Sequence, residues 1–409
     1  MAAVAVALQH DLTNIQFSIP NSHSNAELLM PSQDLRLLVL LTDAFGGHGG
    51  IAKFNRDLLN ALCAYPGMEK VTAFPRTITE DPGVLPDRLT YETQAACGKG
   101  MYVYHLGRLL AQRNSFDGVI CAHIHLLPLA ALAARRYRAP LALIVHGIEA
   151  WQPPRISGLR HSLQSVNTFV FVSLLTKERF LEWAPLREEQ GHIIPDSVDL
   201  SKYGPGPKPA PLIERYGVSG RRVVMTLGRL SADERYKGID EVLEVMPSLV
   251  REMPDLVYLI VGDGDDRSRL ESKTRALGMD SHVVFAGYIP EEEKAAHYRL
   301  ADAFVMPGRG EGFGIVYLEA MACCIPVVAS KADASREAVL HGQIGVLADP
   351  GNPQEIRAAI KEALIRPRQF RKELEYFSFE RFVERWHAML KQSLAKSEFA
   401  RRYVVSGLH

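Results

Sequence analysis

Short apolar runs alternate with amphipathic stretches along nearly the whole chain. The first run, Leu35-Arg-Leu-Leu-Val-Leu-Leu41, is mostly apolar and leads to Gly46-Gly47, the signature of a strand buried on both faces. Helical periodicity follows over 50–64. Further strands are expected at 71–74, 118–122, 141–145, 168–172 and 192–194, with helical patterns at 102–113 and 127–136 between them. The stretch 203–211, Tyr-Gly-Pro-Gly-Pro-Lys-Pro-Ala-Pro, breaks the pattern and reads as a linker without helix or sheet. The alternation then restarts. Strands are expected at 222–227, 257–261, 283–286, 303–306, 326–329 and 345–347, and helices at 238–250, 266–277, 291–300, 314–322 and 353–365. A last helical pattern covers 377–396. Residues 1–33, rich in Asn, Ser and Pro, carry no sustained period.

Strand and crossover helix in alternation give parallel sheets covered on both faces. Two such runs imply an α/β chain of two doubly wound, Rossmann-like domains. The expected division is a flexible leader at 1–33, an N-terminal domain at 34–202, a linker at 203–220, a C-terminal domain at 221–375 and a final helix at 376–409. The pattern leaves the docking of that helix open, packing back on the N-terminal domain being one option. The length of 409 residues suits two domains. Ligands of such sheets bind beyond the carboxyl ends of the strands, so two facing domains would enclose a cleft.

Charge narrows the classes. Lys plus Arg and Asp plus Glu both number 47, so the chain lacks the basic surplus of a protein that coats nucleic acid. No uncharged apolar stretch is long enough for a transmembrane helix. The start, Met-Ala-Ala-Val-Ala-Val-Ala-Leu-Gln-His-Asp, has no basic region, so no signal peptide is expected. Five scattered cysteines without a C-x-x-C point to a reducing, cytoplasmic setting, with Cys323-Cys324 as core.

The chemistry gathers in loops after strands. Gly308-Arg-Gly-Glu311-Gly312-Phe313-Gly314-Ile315-Val316-Tyr-Leu-Glu319 opens a helix whose N-terminal N–H groups form a ready anion site. Gly312 and Gly314 let backbone approach a ligand closely. Glu311 precedes the helix and Glu319 lies within it. A phosphate-sized anion site between two carboxylates suits a sugar joined to a nucleoside through a diphosphate. Arg229, directly after the strand at 222–227, and Lys237 supply a fork and a point charge for phosphate oxygens. Read alone, each feature is also compatible with a glycine turn, a solvated helix glutamate or ordinary loop cations.

Taken together, G-R-L…K-G, V-G-D-G, G-Y-I-P and E-G-F-G-x-V-x-L-E-A-M-A resemble the retaining glycosyltransferases of the GT-B fold, family 4. The likeness is close over 221–350 and looser over 35–200. It implies that Glu311 holds donor-sugar hydroxyls in a pocket shaped by Gly312, Phe313 and Gly314. It implies that the backbone near Ile315 and Val316 holds the diphosphate with Arg229 and Lys237. Glu319 would hold the ribose and Tyr288 would line the base pocket. Gly49 and Gly50 would start a helix facing the cleft, and His146 would end a strand near the sugar. The chain departs from the pattern twice. Asp196-Ser197-Val198-Asp199 stands where Asn-Gly-Val-Asp is common. Asp333 and Ala334 replace glycines before Glu337, which suggests a stiffer loop.

Other readings compete. Gly262-Asp-Gly-Asp-Asp266 is compatible with a metal site or dinucleotide fingerprint, but Asp265 or Asp266 as a helix cap explains it better, and no metal or cofactor is expected. His123, His125 and His48 are compatible with acceptor contact or with plain loop structure. Residues 101–180 hold nine cations against three anions, a surplus of six. Such segments fit a peripheral contact with an anionic membrane or a lipid-linked acceptor, and equally solvated helix faces. The expected activity is transfer of a hexose from GDP-mannose or a UDP-sugar to a glycan or lipid-linked glycan hydroxyl. Rivals are an enzyme making a small soluble glycoside or sugar phosphate, a catalytically silent nucleotide-sugar-binding subunit, and a nicotinamide dehydrogenase, whose glycine fingerprint is missing after Leu41.

Overall fold

The computed structural model describes residues 34–406 except 185, 188 and 189, and only the backbone of 394–406. The leader expected at 1–33 lies outside the described residues. The first sheet is built from β1 (Leu35–Leu41), β2 (Met68–Pro75), β3 (Leu89–Tyr91), β4 (Gly118–Cys121), β5 (Leu141–Val145), β6 (Thr168–Phe171) and β7 (Gly191–Ile193). Its helices are α1 (Gly50–Cys63), α2 (Lys99–Ala111), α3 (Leu127–Tyr137), α4 (Leu159–Leu163) and α5 (Leu174–Leu181). All its strands run parallel in the order β3-β2-β1-β4-β5-β6-β7.

After α6 (Ala210–Tyr216) the second sheet uses β8 (Arg222–Leu227), β9 (Leu256–Val261), β10 (Val283–Gly287), β11 (Ala303–Val305), β12 (Val327–Ser330) and β13 (Val346–Ala348). Its helices are α7 (Ile239–Glu252), α8 (Arg267–Ala276), α9 (Lys294–Leu300), α10 (Ile315–Ala322), α11 (Ser335–Ala338) and α12 (Pro353–Ile365), and α13 (Phe379–Ser406) closes the chain. The order, β10-β9-β8-β11-β12-β13, is again wholly parallel. Both sheets reverse winding once, between β1 and β4 and between β8 and β11. Those switch points open the crevices in which such folds take ligands.

Helices on both faces explain the continuous apolar runs: every residue of β9, Leu-Val-Tyr-Leu-Ile-Val, is buried. Separate cores fill the outer faces of the sheets, while a third, holding Val39, Met225, Tyr317 and Trp386, is continuous across both halves. α13 follows the second sheet yet packs on α1 of the first. Phe382 and Trp386 meet Phe54 edge-on at 5.4 and 6.4 Å, and the His387 ring sits 2.8 Å from the carbonyl of Ala61. A backbone pairing of Val198 with Ser378 ties the chain's two crossings together. Among the described residues no helix is long and apolar enough to cross a membrane.

Some expectations need correction. The stretch read as linker is partly helical: α6 begins at Ala210, and Pro211 is tolerated in its first turn because the N–H there needs no partner. Tyr203, within that stretch, is buried. Residues 291–293 form a 3₁₀ turn after Pro290, and the α-helix starts only at Lys294. The edge strand β3 is too short to show a period. α5 is announced only by Ser173, whose hydroxyl accepts the Thr176 N–H at 3.1 Å.

Candidate active site between the two sheets

Arg229 and Lys237 follow β8 at the second switch point. The loop after β9 crosses directly over them: a Cβ at Gly262 would stand 1.9 Å from the Gly228 oxygen, and one at Gly264 2.1 Å from the Leu230 oxygen, with both glycines at positive φ. Close loop packing therefore explains the Gly-Asp-Gly run. The capping expectation for this run is wrong. Asp266 stands at the N-cap position of α8 but makes no cap bond; its carboxylate instead pairs with Arg235 at 2.8 Å and Arg269 at 2.6 Å. Asp265 accepts from the Ala232 N–H at 2.9 Å. Two arginines outbid a neutral amide for a carboxylate.

Neither cation is unpaired. Glu234 takes both, pairing with Arg229 and, at 2.6 Å, with Lys237. Burial pushes the Glu234 carboxyl up, but Lys237 and Arg229 outweigh it and hold it below the usual carboxylate range. The Arg229 side chain remains 71% exposed, free to swing to a ligand. Sequence reasoning passed over Glu234, since a loop glutamate gives no signal until its partners are located.

Across from these cations, Gly308–Gly314 runs from β11 to α10. Asp333 anchors it, accepting from the Glu311 N–H at 3.0 Å, while the Ala334 N–H donates to the Glu311 carbonyl at 3.0 Å. Asp333 is fully buried and is itself held by the Ser335 hydroxyl at 2.6 Å. The substitution for flexible glycines thus fixes the Glu311 loop. Burial pushes the Glu311 carboxyl up to about 7; Lys237 opposes, while Asp333 and Glu234 add to the rise. Gly314, at φ 98°, precedes α10 without any side-chain cap, which leaves N–H groups at Ile315 and Val316 for an anion. Phe313 turns its ring into the core, 5.5 Å edge-on from Phe377, so it sets the loop's path.

Glu319 is 1% exposed and does not present a free carboxylate to the cleft. It accepts from the Tyr203 hydroxyl at 2.9 Å and the Tyr298 hydroxyl at 2.8 Å, with the Lys294 ammonium 3.8 Å away. Tyr203, in the connecting stretch, thus fills one acceptor position of the Glu319 carboxylate. Tyr288 is exposed and faces His48 of the first half edge-on at 5.9 Å; His48 pairs with Glu80 at 3.0 Å.

The first half supplies the loops after β1, β4 and β5. Gly49 and Gly50 open α1 with nothing near where a Cβ would stand, so the start of this helix is unobstructed. The buried His146 ring lies 5.0 Å edge-on to Phe54, and its Nε2 is 2.9 Å from the Ala122 carbonyl. A carbonyl only accepts, so Nε2 carries the proton and Nδ1 is left as the acceptor of a neutral ring. Burial lowers the His146 pKa, against the pull of Glu149. His123 stacks 6.4 Å away and is driven down to about 3, first by burial and then by His146. His123 also accepts from the His125 N–H at 3.2 Å, a loop-forming bond.

The halves touch at this point. A Cβ on Gly312 would lie 2.0 Å from the His146 oxygen, so only glycine lets the loops meet. Glu337 reaches over to accept the Leu174 and Leu175 N–H groups at 2.7 and 2.9 Å, capping α5 of the other half. Asp43, within electrostatic reach of His146, and Asp196, within reach of Glu311, are carboxyls raised by burial that sequence motifs did not flag as ligands. The described residues contain no group of His, Cys, Asp and Glu that could hold a metal ion.

Two facing Rossmann-like halves with paired cations and an uncapped helix start at a switch point define the GT-B class of fold. Family models match both halves: Glycosyltransferase Family 4 over residues 49–202 and Glycosyl transferases group 1 over 214–381. The chain belongs to the family 4 glycosyltransferases of the GT-B fold. It is 38% identical over 256 residues to the GDP-mannose-dependent alpha-(1-6)-phosphatidylinositol monomannoside mannosyltransferase of Mycolicibacterium smegmatis, covering 59% of this chain and 66% of that protein. A protein of the same description from Mycobacterium tuberculosis is 33% identical over 253 residues, covering 58% and 64%. The chain thus aligns with a little under two thirds of these relatives' length. Anabaena Alr3699/HepE, solved with UDP and glucose, shares the fold with a TM-score of 0.64 at 20% identity, covering 91% of this chain and all of that one.

Proposed function

We propose that this protein is a retaining hexosyltransferase that uses a nucleotide diphosphate sugar, GDP-mannose before UDP-sugars, and glycosylates a hydroxyl of a glycan or lipid-linked glycan. The observation that carries this reading is the convergence of Arg229, Lys237, the open start of α10 and the raised carboxyl of Glu311 at one switch point. The names of the mannosyltransferase relatives favour guanine and mannose. In this reading Arg229, Lys237 and the N–H groups of Ile315 and Val316 take the diphosphate. Glu311 takes sugar hydroxyls, with Gly312 and Gly314 giving room, and neutral His146 faces the same sugar. Glu319 takes the ribose once Tyr203 yields its bond, and Tyr288 lies along the base. Gly49 and Gly50 close over the donor from the other half.

The sugar C1–O bond breaks with its electron pair leaving on the diphosphate. The acceptor oxygen bonds to C1 on the same face, and its proton passes to a phosphate oxygen. The protein contributes position and charge stabilisation. Exposed Met101, Val103 and Tyr104 on α2 and Leu132 on α3 lie among Lys99, Arg108, Arg135 and Arg136, which favours peripheral contact with an anionic leaflet at its cytoplasmic face. Purified protein incubated with GDP-mannose, UDP-glucose and UDP-galactose decides the matter. GDP release with an α-linked product by NMR is expected; no release from any donor, with no thermal stabilisation by GDP or UDP, sinks the reading.

A further inference from the structure

A short segment of the second half, Asp333 to Glu337, holds structure on both sides of the cleft. Toward its own half, the Asp333 carboxylate accepts from the Glu311 N–H at 3.0 Å, and the Ala334 N–H donates to the Glu311 carbonyl at 3.0 Å. Toward the first half, Glu337 places both carboxylate oxygens on α5. Its Oε2 accepts from the Leu174 N–H at 2.7 Å and its Oε1 from the Leu175 N–H at 2.9 Å. A helix start leaves its first N–H groups without partners inside the helix. In α5 the Thr176 N–H is met from the first half itself, by the Ser173 hydroxyl at 3.1 Å. Among the described residues, the two N–H groups before it are met only from the other half. A second tie runs alongside. The Thr176 hydroxyl donates to the Gly312 carbonyl at 3.5 Å and accepts from the Ser173 hydroxyl at 2.8 Å and the Trp151 indole N–H at 3.3 Å. Trp151 stands in the loop after β5 that begins with His146 and Gly147, where a Cβ on Gly147 would lie 2.7 Å from the Gly312 Cα. One segment thus fixes the Glu311 loop from below and, through α5, the first-half loop that faces it.

We propose that Glu337 is a positioning residue for the transfer reaction: its bonds to α5 set the separation of the two halves at which the loop after β5 stands against Glu311 and Gly312. This rests on the glycosyltransferase reading and adds to it a residue that acts through the halves and touches no ligand. A carboxylate at a helix start is favoured by charge-assisted hydrogen bonds and by the helix dipole. Two N–H groups on two oxygens fix orientation as well as distance. Glutamine keeps one acceptor oxygen and turns an NH2 toward the second N–H, and alanine keeps none. Arg229, Lys237 and the open start of α10 all belong to the second half, so a nucleoside diphosphate can bind there without the joint. Transfer needs the first half in register, because a small misplacement of reacting groups is costly. Loss of Glu337 therefore separates binding from turnover.

The test compares wild type with E337A and E337Q in three measurements: calorimetry with GDP, steady-state GDP release from GDP-mannose, and small-angle X-ray scattering without nucleotide. E337A is expected to bind GDP within about threefold of wild type, to lose about tenfold in kcat and to show a larger radius of gyration; E337Q, with one acceptor left, falls between the two. An unchanged kcat in E337A overturns the proposal, and so does a loss of GDP affinity that accounts for the whole loss in kcat/KM. If E337A does not fold, E337Q carries the same comparison. If the wild-type protein neither binds GDP nor releases it, the glycosyltransferase reading falls. The scattering comparison stands apart from that failure: a variant no more open than wild type overturns the joint itself.

Discussion

Lys237 pairs with Glu234 and also acts electrostatically on Glu311. Glu234 pairs with both Lys237 and Arg229, so in the proposed reading it competes with the donor diphosphate for them. E234Q removes that competitor, so GDP should bind about three- to tenfold tighter at low salt, with the gain shrinking near 0.5 M salt as screening rises. Equal or weaker binding by calorimetry would mean that Glu234 aligns the cations and does not compete for them. In the proposed reading Glu311 is the carboxyl that takes the sugar hydroxyls. Glu311→Ala should lower kcat/KM by about 10- to 100-fold, the range for hydrogen bonds to a charged group, with the melting temperature kept or raised. Neither residue could be ranked from sequence on equal terms. Glu311 stands in a dense glycine-rich motif, whereas Glu234 is one of several charged residues between Arg229 and Lys237.

At the scale of elements, the important joints connect the two halves. Glu337 stands on the second half yet caps α5 of the first through two N–H bonds. A carboxylate at a helix start is favourable by both hydrogen bonding and dipole, on the order of 1 kcal/mol. Glu337→Gln should therefore speed amide exchange in α5 while leaving α12 protected; equal exchange in both would show that the joint carries no weight. The position was visible in the sequence as a glutamate after an altered glycine pair. Its partner, more than 160 residues earlier, was not. The same holds for the linker. Its prolines and glycines announced a break, but α6 and the insertion of Tyr203 beside Glu319 depend on surfaces supplied by α9 and α10.

For the whole molecule, the fold holds several carboxyls in buried places that disfavour their charge. Asp43, Asp196, Glu311 and Asp333 are all raised, each chiefly by burial. A carboxyl whose folded value lies above its unfolded value binds more protons in the folded state. Stability from these groups therefore falls as pH rises, from about 4 through about 7 for Glu311 and about 8 for Asp196. An Asp196→Asn, Glu311→Gln double variant should melt higher than wild type, with the gap widening from pH ~5 to pH ~8. A constant gap would show that the two carboxyls ionise as freely in the fold as in the unfolded chain. In the proposed reading, donor binding completes the hydrogen bonds of Glu311 and so links ligand affinity to stability.

The sequence by itself determined the alternation of strands and helices, the division into two parallel sheets and the loops in which Arg229, Lys237 and Glu311 stand. These follow from periodicity, glycine and proline, which act over a few residues and can be read locally. The tertiary structure alone decided which charges meet. Glu234 pairs with Arg229 and Lys237, Asp266 leaves its cap for two arginines, Glu319 lies beneath two tyrosines, and Asp196 comes within electrostatic reach of Glu311. Each of these depends on packing between segments distant in the chain and on the water excluded between them. Burial and charge pairing depend on the space around a group, and that space exists only once both sheets have folded and closed on each other.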